Sequence, residues 1–472
     1  MMKTNVLKIL FVLTSLFSVV IAVGQTKAIS LKDAISIASN GNKEVKIQRL
    51  EENRLKEVTK EIKGQMLPSI NAKSEFSHYF DRQVIFLPGS FTGTTNPVEN
   101  VAVGGLNSFN TSILFSQPLL SKSISRQKKS AVINEKIQSE ITKDAESKLV
   151  FDVSKSYLSI LLMKGQLELQ HKSLERNLKE LEDAKSLYAV GRNLKIDTLR
   201  SFISVKNIKS SISYLKNSIE IQTSQFKKEI GLDANETIEL TDKLVLQDDY
   251  EFNQLLNEYM VVDNNRPEIT TNALNLLQSK FKTIEIDRPD IAIQELSVKL
   301  EERKKSQIKG QSIPQINLVG QYQVQSQMDD LKINKAVWPT TSFVGLQLTL
   351  PIYNGNKIAS QVKQSNIRIE QEKIKLESLK DNVKIELVSI IRNWEDAKVQ
   401  LDIQKKILEA ANLNYKMNQE RYANGLGSKL ETKDAEASLI TAEMNHLQAI
   451  YNLRVLKIEL QKSLGQLALN NI

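Results

Sequence analysis

Two short stretches in the second half of the chain alternate apolar and polar residues with a period of two. In 315–325, the apolar residues that share one face are Ile316, Leu318, Tyr322 and Val324, and the other face carries amides. In 342–350, Val344, Leu346, Leu348 and Leu350 alternate with Phe343, Gly345, Gln347 and Thr349. This period is that of a β-strand, and about 9–11 residues cross a bilayer as a tilted strand. The pattern predicts two strands with one apolar and one polar face.

The first half predicts a weaker pair of strands, Ser69–Phe80 and Phe109–Gln117, around a polar, glycine-containing loop at 87–107. A soluble β-hairpin that caps a helical bundle is the alternative to a membrane sheet. Four strands cannot close on themselves, and hydrocarbon does not tolerate open strand edges. A membrane sheet therefore requires several copies, and three copies of four strands give the even count of about 12 that suits bacterial barrels.

Long helices are predicted between and after the strands. No proline interrupts the chain between Pro118 and Pro267, or after Pro351. Leu167, Leu174, Leu181 and Tyr188 recur every seven residues, which is coiled-coil spacing. A helix over 123–187 would extend about 100 Å at 1.5 Å per residue.

The chain is internally duplicated. Residues 63–71, KGQMLPSIN, return as KGQSIPQIN at 309–317, an offset of 246 residues. Tyr188-Ala-Val-Gly191 returns as Tyr422-Ala-Asn-Gly425, and Gly231 as Gly465, both at an offset of 234. We therefore expect a first structural repeat over 26–231, a mixed segment over 232–287 and a second repeat over 288–472, after a signal peptide over 1–25.

The N-terminus has the layout of a signal peptide. Lys3 and Lys8 precede an apolar run from Ile9 to Val23, and Ala22-Val23-Gly24 supplies small residues for cleavage. The alternative is an uncleaved membrane anchor. Removing 1–25 takes away two lysines and no acid, so the net charge falls from +9 to +7, which is no argument for nucleic acid. Without cysteine the exported chain has neither disulfides nor a lipidated N-terminal cysteine.

An enzyme is not expected. His78, His171 and His446 are isolated along the chain, and no phosphate loop, zinc motif or nucleophile elbow occurs. We therefore predict no catalytic residue, no cofactor and no metal site.

Several motifs together resemble the TolC-like outer-membrane efflux protein family. They are Leu31-Lys-Asp-Ala34, the two Gly-x-x-x-Pro junctions at 64–68 and 310–314, Gln117-Pro-Leu119, Leu350-Pro-Ile-Tyr-Asn-Gly355, and the segment Tyr422–Glu431, YANGLGSKLE. The resemblance implies a mainly α fold with a β-barrel contribution: long coiled-coil helices form a periplasmic α-barrel, and each protomer adds four transmembrane β-strands.

What the resemblance implies for function is the exit duct of a tripartite efflux or type I secretion system. It implies a homotrimer in outer-membrane lipid, with its helical part in the periplasm, that passively conducts substrates supplied by an inner-membrane pump and a periplasmic adaptor. A periplasmic coiled-coil interaction or adaptor protein is the alternative, although an adaptor would carry one helical hairpin and this chain predicts two. A passive porin is a third interpretation, but free diffusion needs no long helices.

The resemblance also assigns site residues to the two helix returns. The expected adaptor contacts are Val190, Gly191, Arg192, Asn424, Gly425, Leu426 and Ser428. Glu431 and Asp434 are three residues apart and so share one helix face. They match acids that ring the closed pore in the family. The alternative is an ordinary solvent-exposed helix face. Tyr422 and Asp197 match a hydrogen-bonded pair that holds the tip shut. The family's arginine at the position of Gly427 is missing, so its ion pair is absent.

Overall fold

The computed structural model describes residues 27–192, 194–245 and 288–467. The predicted signal peptide and residues 246–287 of the predicted mixed segment lie outside this part of the chain. Two compact units divide it. The first comprises Met1–Arg49, Glu140–Ile291 and Ser378–Ile472, and the second comprises Leu50–Ser139 and Ala292–Glu377.

The elements follow one another in an order that confirms the predicted fold class, long helices with two pairs of long strands. The helices are α1 (Leu31–Gly41), α2 (Lys43–Gly64), α3 (Gly89–Thr92), α4 (Lys122–Ala189), α5 (Lys195–Ile230), α6 (Pro289–Gly310), α7 (Lys357–Ala423) and α8 (Lys429–Ser463). The strands are β1 (Lys27–Ile29), β2 (Ser69–His78), β3 (Gln83–Leu87), β4 (Glu99–Val103), β5 (Asn107–Leu120), β6 (Ile238–Leu240), β7 (Gln315–Met328) and β8 (Thr340–Thr349). Among the described residues, no helix combines the length and apolarity needed to cross a membrane.

The first unit is held by the apolar faces of its helices. Tyr157 and Phe226 are fully buried, and their rings meet edge to face at 5.9 Å. The Tyr157 hydroxyl lies 2.8 Å from the Asp242 carboxylate and 3.1 Å from the Ile29 carbonyl. It thereby ties α4 to the parallel pair β1–β6. Burial, with the Asp242 hydrogen bond, raises the pKa of Tyr157, so the hydroxyl stays a donor.

The buried seam of α4 differs from the one that the leucine heptad indicates. Of the heptad residues, Leu181 is buried but Tyr188 is 47% exposed, and the smaller or polar Ser173, Asn177 and Ala184 are buried as well. Asn177 enters the interior because its amide is satisfied there by hydrogen bonds to Ser173 and Glu436. Hydrogen bonding, rather than apolarity, therefore sets this part of the seam.

The second unit contains a four-stranded antiparallel sheet in the order β2-β5-β7-β8. β5 and β7 pair over almost their whole length, with one irregularity between Pro118 and Leu120. Proline cannot donate to a ladder, which accounts for this break near the strand end. The prediction of a loop over 87–107 is wrong in part: Gln83–Leu87 and Glu99–Val103 form a hairpin around α3. Their continuous apolar runs lack the alternation that marks the other strands.

Candidate functional site: the helix returns and their acidic face

The two duplicated Tyr-x-x-Gly motifs fold into matching turns in the first unit. Gly191 has a φ of 71° and Gly425 a φ of 72°, the left-handed conformation that glycine adopts without a Cβ penalty. The N–H of Gly191 donates to the Tyr188 carbonyl, and that of Gly425 to the Tyr422 carbonyl, both at 3.0 Å. The glycines therefore end α4 and α7 in the same way, as the repeat predicts.

All seven predicted adaptor-contact residues are exposed on these turns: Val190, Gly191, Arg192, Asn424, Gly425, Leu426 and Ser428. Large apolar side chains that the motifs did not single out are exposed beside them: Leu194, Ile196, Leu199 and Leu430. The sequence could have indicated these side chains, because apolar residues stand at a helix start where polar capping residues are usual. The returns thus present an apolar surface as well as glycines.

Glu431 also caps the helix that follows the second return. The Ser428 Oγ accepts from the Glu431 N–H at 3.1 Å, and the Glu431 carboxylate accepts from the Ser428 N–H at 3.2 Å. This reciprocal pair is a capping box at the start of α8. It fixes the Glu431 side chain at the return.

We expect Ser428→Ala to lower the free energy of unfolding by about 1 kcal/mol, because the first turn of α8 loses its side-chain acceptor. Urea denaturation followed by circular dichroism measures this. Ser438→Ala is the matched control, since its hydroxyl donates to the Asp434 carbonyl within the helix and caps no helix end. Equal losses in both variants would contradict the capping role.

Glu431 and Asp434 lie on the exposed side of α8, and the opposite side buries Thr432, Ala435, Glu436 and Leu439. The two acids thus share a face, as their spacing predicts. Their assignment to a pore constriction stays a prediction.

Tyr422 and Asp197 are not joined by a hydrogen bond within the described part of this single chain. The Asp197 carboxylate lies 3.9 Å from the Arg200 guanidinium of its own helix, and Tyr422 is 39% exposed. The predicted link between them stays a prediction.

A cluster of polar side chains that the motifs did not indicate lies on the side of α8 opposite the acidic face. The Glu436 carboxylate accepts from Arg176 Nε at 3.1 Å and from Asn177 Nδ2 at 3.0 Å. Lys433 Nζ lies 2.6 Å from the Asn177 side-chain oxygen and 3.2 Å from Glu436, and it forms an ion pair with Glu180. We name Arg176, Asn177, Glu180, Lys433 and Glu436 the polar clasp. It joins α4 to α8.

Residues 282–466 match the family model described as outer membrane efflux protein. Outer membrane protein TolC of Escherichia coli (strain K12) is 28% identical over 134 residues, which cover 27% of each chain. The predicted resemblance to TolC-like outer-membrane efflux proteins is confirmed. Outer membrane efflux protein BepC of Brucella suis biovar 1 (strain 1330) is 22% identical over 147 residues, 31% of this chain and 32% of BepC. The aligned segments thus span less than two thirds of either efflux protein.

Solved outer-membrane channels share the fold over nearly the full length. The Campylobacter jejuni CmeC outer membrane channel superposes with a TM-score of 0.72 at 14% identity, over 93% of this chain and 86% of CmeC. Outer membrane protein VceC of Vibrio cholerae gives 0.69 at 12% identity, over 92% of this chain and 96% of VceC. At these identities the likeness establishes the TolC-like fold.

Proposed function

We propose that this chain is the protomer of an outer-membrane channel that serves as the exit duct of a tripartite efflux or type I secretion machine. It conducts passively what an inner-membrane pump and a periplasmic adaptor deliver. Three copies form the duct, with the strands in the outer membrane and the helices in the periplasm. The observation that carries the proposal is the sheet of the second unit.

One face of this sheet is apolar and uncovered. Residues paired across an antiparallel ladder project to the same side, so the register defines the face. Its larger members are Ile70, Phe76, Phe109, Ile113, Phe115, Leu318, Tyr322, Val324, Val344, Leu346 and Leu348. Val344 is 78% exposed and Leu346 70% exposed. A contiguous apolar surface of this kind indicates contact with lipid or another chain.

Aromatic rings gather at one end of the apolar face. The Phe76 and Phe109 ring centroids are 4.7 Å apart, and Trp338 lies 5.9 Å from Phe109. Aromatic residues form girdles where transmembrane barrels meet the lipid headgroups. This end of the strands therefore supports a membrane boundary, and it favours lipid over a protein partner.

The other face of the sheet is rich in amides. Gln321 donates to Gln323 at 2.7 Å, and Gln323 donates to Gln325 at 3.2 Å, along β7. Lys73 and Glu75 of β2 form an ion pair at 2.8 Å on the same side. Polar side chains line the water-filled interior of barrels. This face thus suits the wall of an aqueous duct.

The sheet has two open edges, β2 and β8, which are ten residues each. Their N–H and C=O groups cannot remain unpaired in hydrocarbon. Pairing β8 of one copy with β2 of the next satisfies both edges with strands of equal length. This arrangement supports closure of the barrel by several copies.

Neutralising the two acids of α8, Glu431 and Asp434, tests whether they line a constriction of the proposed duct. We expect Glu431→Gln/Asp434→Asn to lower cation selectivity by roughly twofold or more, because a ring of carboxylates attracts cations at a constriction. The reversal potential across a salt gradient in a planar bilayer measures the selectivity.

The matched control neutralises two exposed acids of α7, Asp402→Asn/Glu409→Gln, and should leave the reversal potential unchanged. An unchanged reversal potential in the α8 variant would contradict a constriction at these acids. A folded chain that stays in the soluble fraction and forms no channels would instead favour a periplasmic coiled-coil interaction protein.

A further inference from the structure

The polar clasp occupies a buried position where charges are costly. The Glu436 side chain is 3% exposed, and Asn177 is buried beside it. Lys433 and Glu180 are each 23% exposed. Buried carboxylates are retained only when donors satisfy them, and Glu436 has three: Arg176, Asn177 and Lys433.

The clasp joins elements that are far apart in the sequence. Asn177 and Glu436 are separated by 259 residues, and Ser204 of α5 donates to the Asn177 oxygen at 2.8 Å. Three helices of the first unit therefore meet at one amide. Arg176 also lies over the Tyr415 ring of α7 at 5.7 Å, which brings in the fourth helix.

This anchoring determines which way α8 faces. An α-helix turns by about 100° per residue, so Glu436 projects about 200° around the axis from Asp434. Fixing Glu436 against α4 thus sends Asp434 to the opposite side, with Glu431 on the same side as Asp434. A rotation of α8 that moved the two acids would pull Glu436 from its donors.

We infer that Lys433, Glu436, Arg176 and Asn177 are positioning residues that set the rotation of α8 and thereby aim Glu431 and Asp434 at the pore. This inference rests on the proposed function. Lys433 is central because it bridges Glu180 and Glu436. Without its ammonium the two carboxylates face each other across the helix contact with less compensation, and their repulsion drives α8 away from α4.

The sign of the selectivity change separates positioning from simple charge removal. Loss of one cation near the pore, with the acids in place, would make the channel more cation-selective. Loss of positioning disperses the acids, so Lys433→Met should lower cation selectivity by roughly twofold. Asn177→Leu changes no charge, so a shift in the same direction can come only from displacement of α8.

The test is single-channel recording of the purified full chain in a planar bilayer under a KCl gradient. Wild type is compared with Lys433→Met, Lys433→Arg, Asn177→Leu and the control Lys406→Met, which breaks an exposed ion pair with Asp402. We expect Lys433→Met and Asn177→Leu to lower cation selectivity, measured as the reversal potential, Lys433→Arg to retain the wild-type selectivity and Lys406→Met to behave as wild type. Asn177→Ser, which adds no bulk, serves where the leucine variant is not recovered folded.

An unchanged or increased cation selectivity in Lys433→Met, with wild-type channels present, would overturn the positioning role. A lower thermal stability without any shift in reversal potential would do the same, because it would show a purely structural cluster. Absence of channels from folded wild-type protein would instead refute the proposed function, so the two failures are distinguishable.

Discussion

Lysine in place of Leu346 should prevent the chain from entering a lipid bilayer, whereas lysine in place of its neighbour Gln347 should not. Leu346 lies on the exposed apolar face of β8, and Gln347 lies on the amide face. A lysine on the lipid side of a barrel strand costs about 2–4 kcal/mol near the bilayer centre, and each copy in the assembly contributes that cost. On the amide face the same ammonium remains in water.

Flotation of the refolded protein with lipid vesicles in a density gradient measures insertion. The two substitutions introduce the same residue at adjacent positions, so differences in net charge and synthesis cancel. Equal flotation of both variants would show that the apolar face does not contact lipid, and it would remove the main support for a membrane sheet.

Alanine at Gly231 should destabilise the helical unit by about 2–4 kcal/mol, through a combination of steric overlap and left-handed backbone strain. Gly231 ends α5 with a φ of 79°, and a Cβ there would lie 2.3 Å from the Gly41 carbonyl oxygen. The contact is between two backbones, so no side chain can move aside. Ile230, which precedes it, is fully buried in the core of this unit.

Comparison with Gly191→Ala separates the cost of left-handed backbone strain from the cost of steric overlap at Gly231. Gly191 has a φ of 71°, but nothing lies within 4 Å of its would-be Cβ, so the strain alone should cost about 1–2 kcal/mol. Urea unfolding followed by circular dichroism compares the two variants. A Gly231→Ala loss no larger than that of Gly191→Ala would contradict the close approach of the two backbones.

The strands were predictable because one of their faces is apolar. The predicted strands at 315–325 and 342–350 correspond to β7 and β8, and the predicted long helix at 123–187 corresponds to α4. The hydrophobic period and the spacing of prolines are local signals, so they can be read from the sequence without knowledge of the tertiary structure. The β1–β6 pair escaped prediction because three-residue strands at Lys27 and Ile238 carry no periodicity.

The candidate site was predictable only in part. Glycines mark the returns because a left-handed turn needs them, and Glu431 and Asp434 share a face because of their spacing. The polar clasp was not predictable, since Arg176 and Glu436 are 260 residues apart and each looks like an ordinary surface charge in its own helix. The pairing of distant helices, which no local pattern encodes, decides which charges become buried.

Single-channel recording from the purified full chain in a planar lipid bilayer tests the channel proposal most directly. We expect discrete, uniform conductance steps that carry cations in preference to anions, since we propose that the acids of α8 face the duct. Folded protein that inserts into the bilayer and yet produces no steps would contradict the proposal that this chain forms a duct.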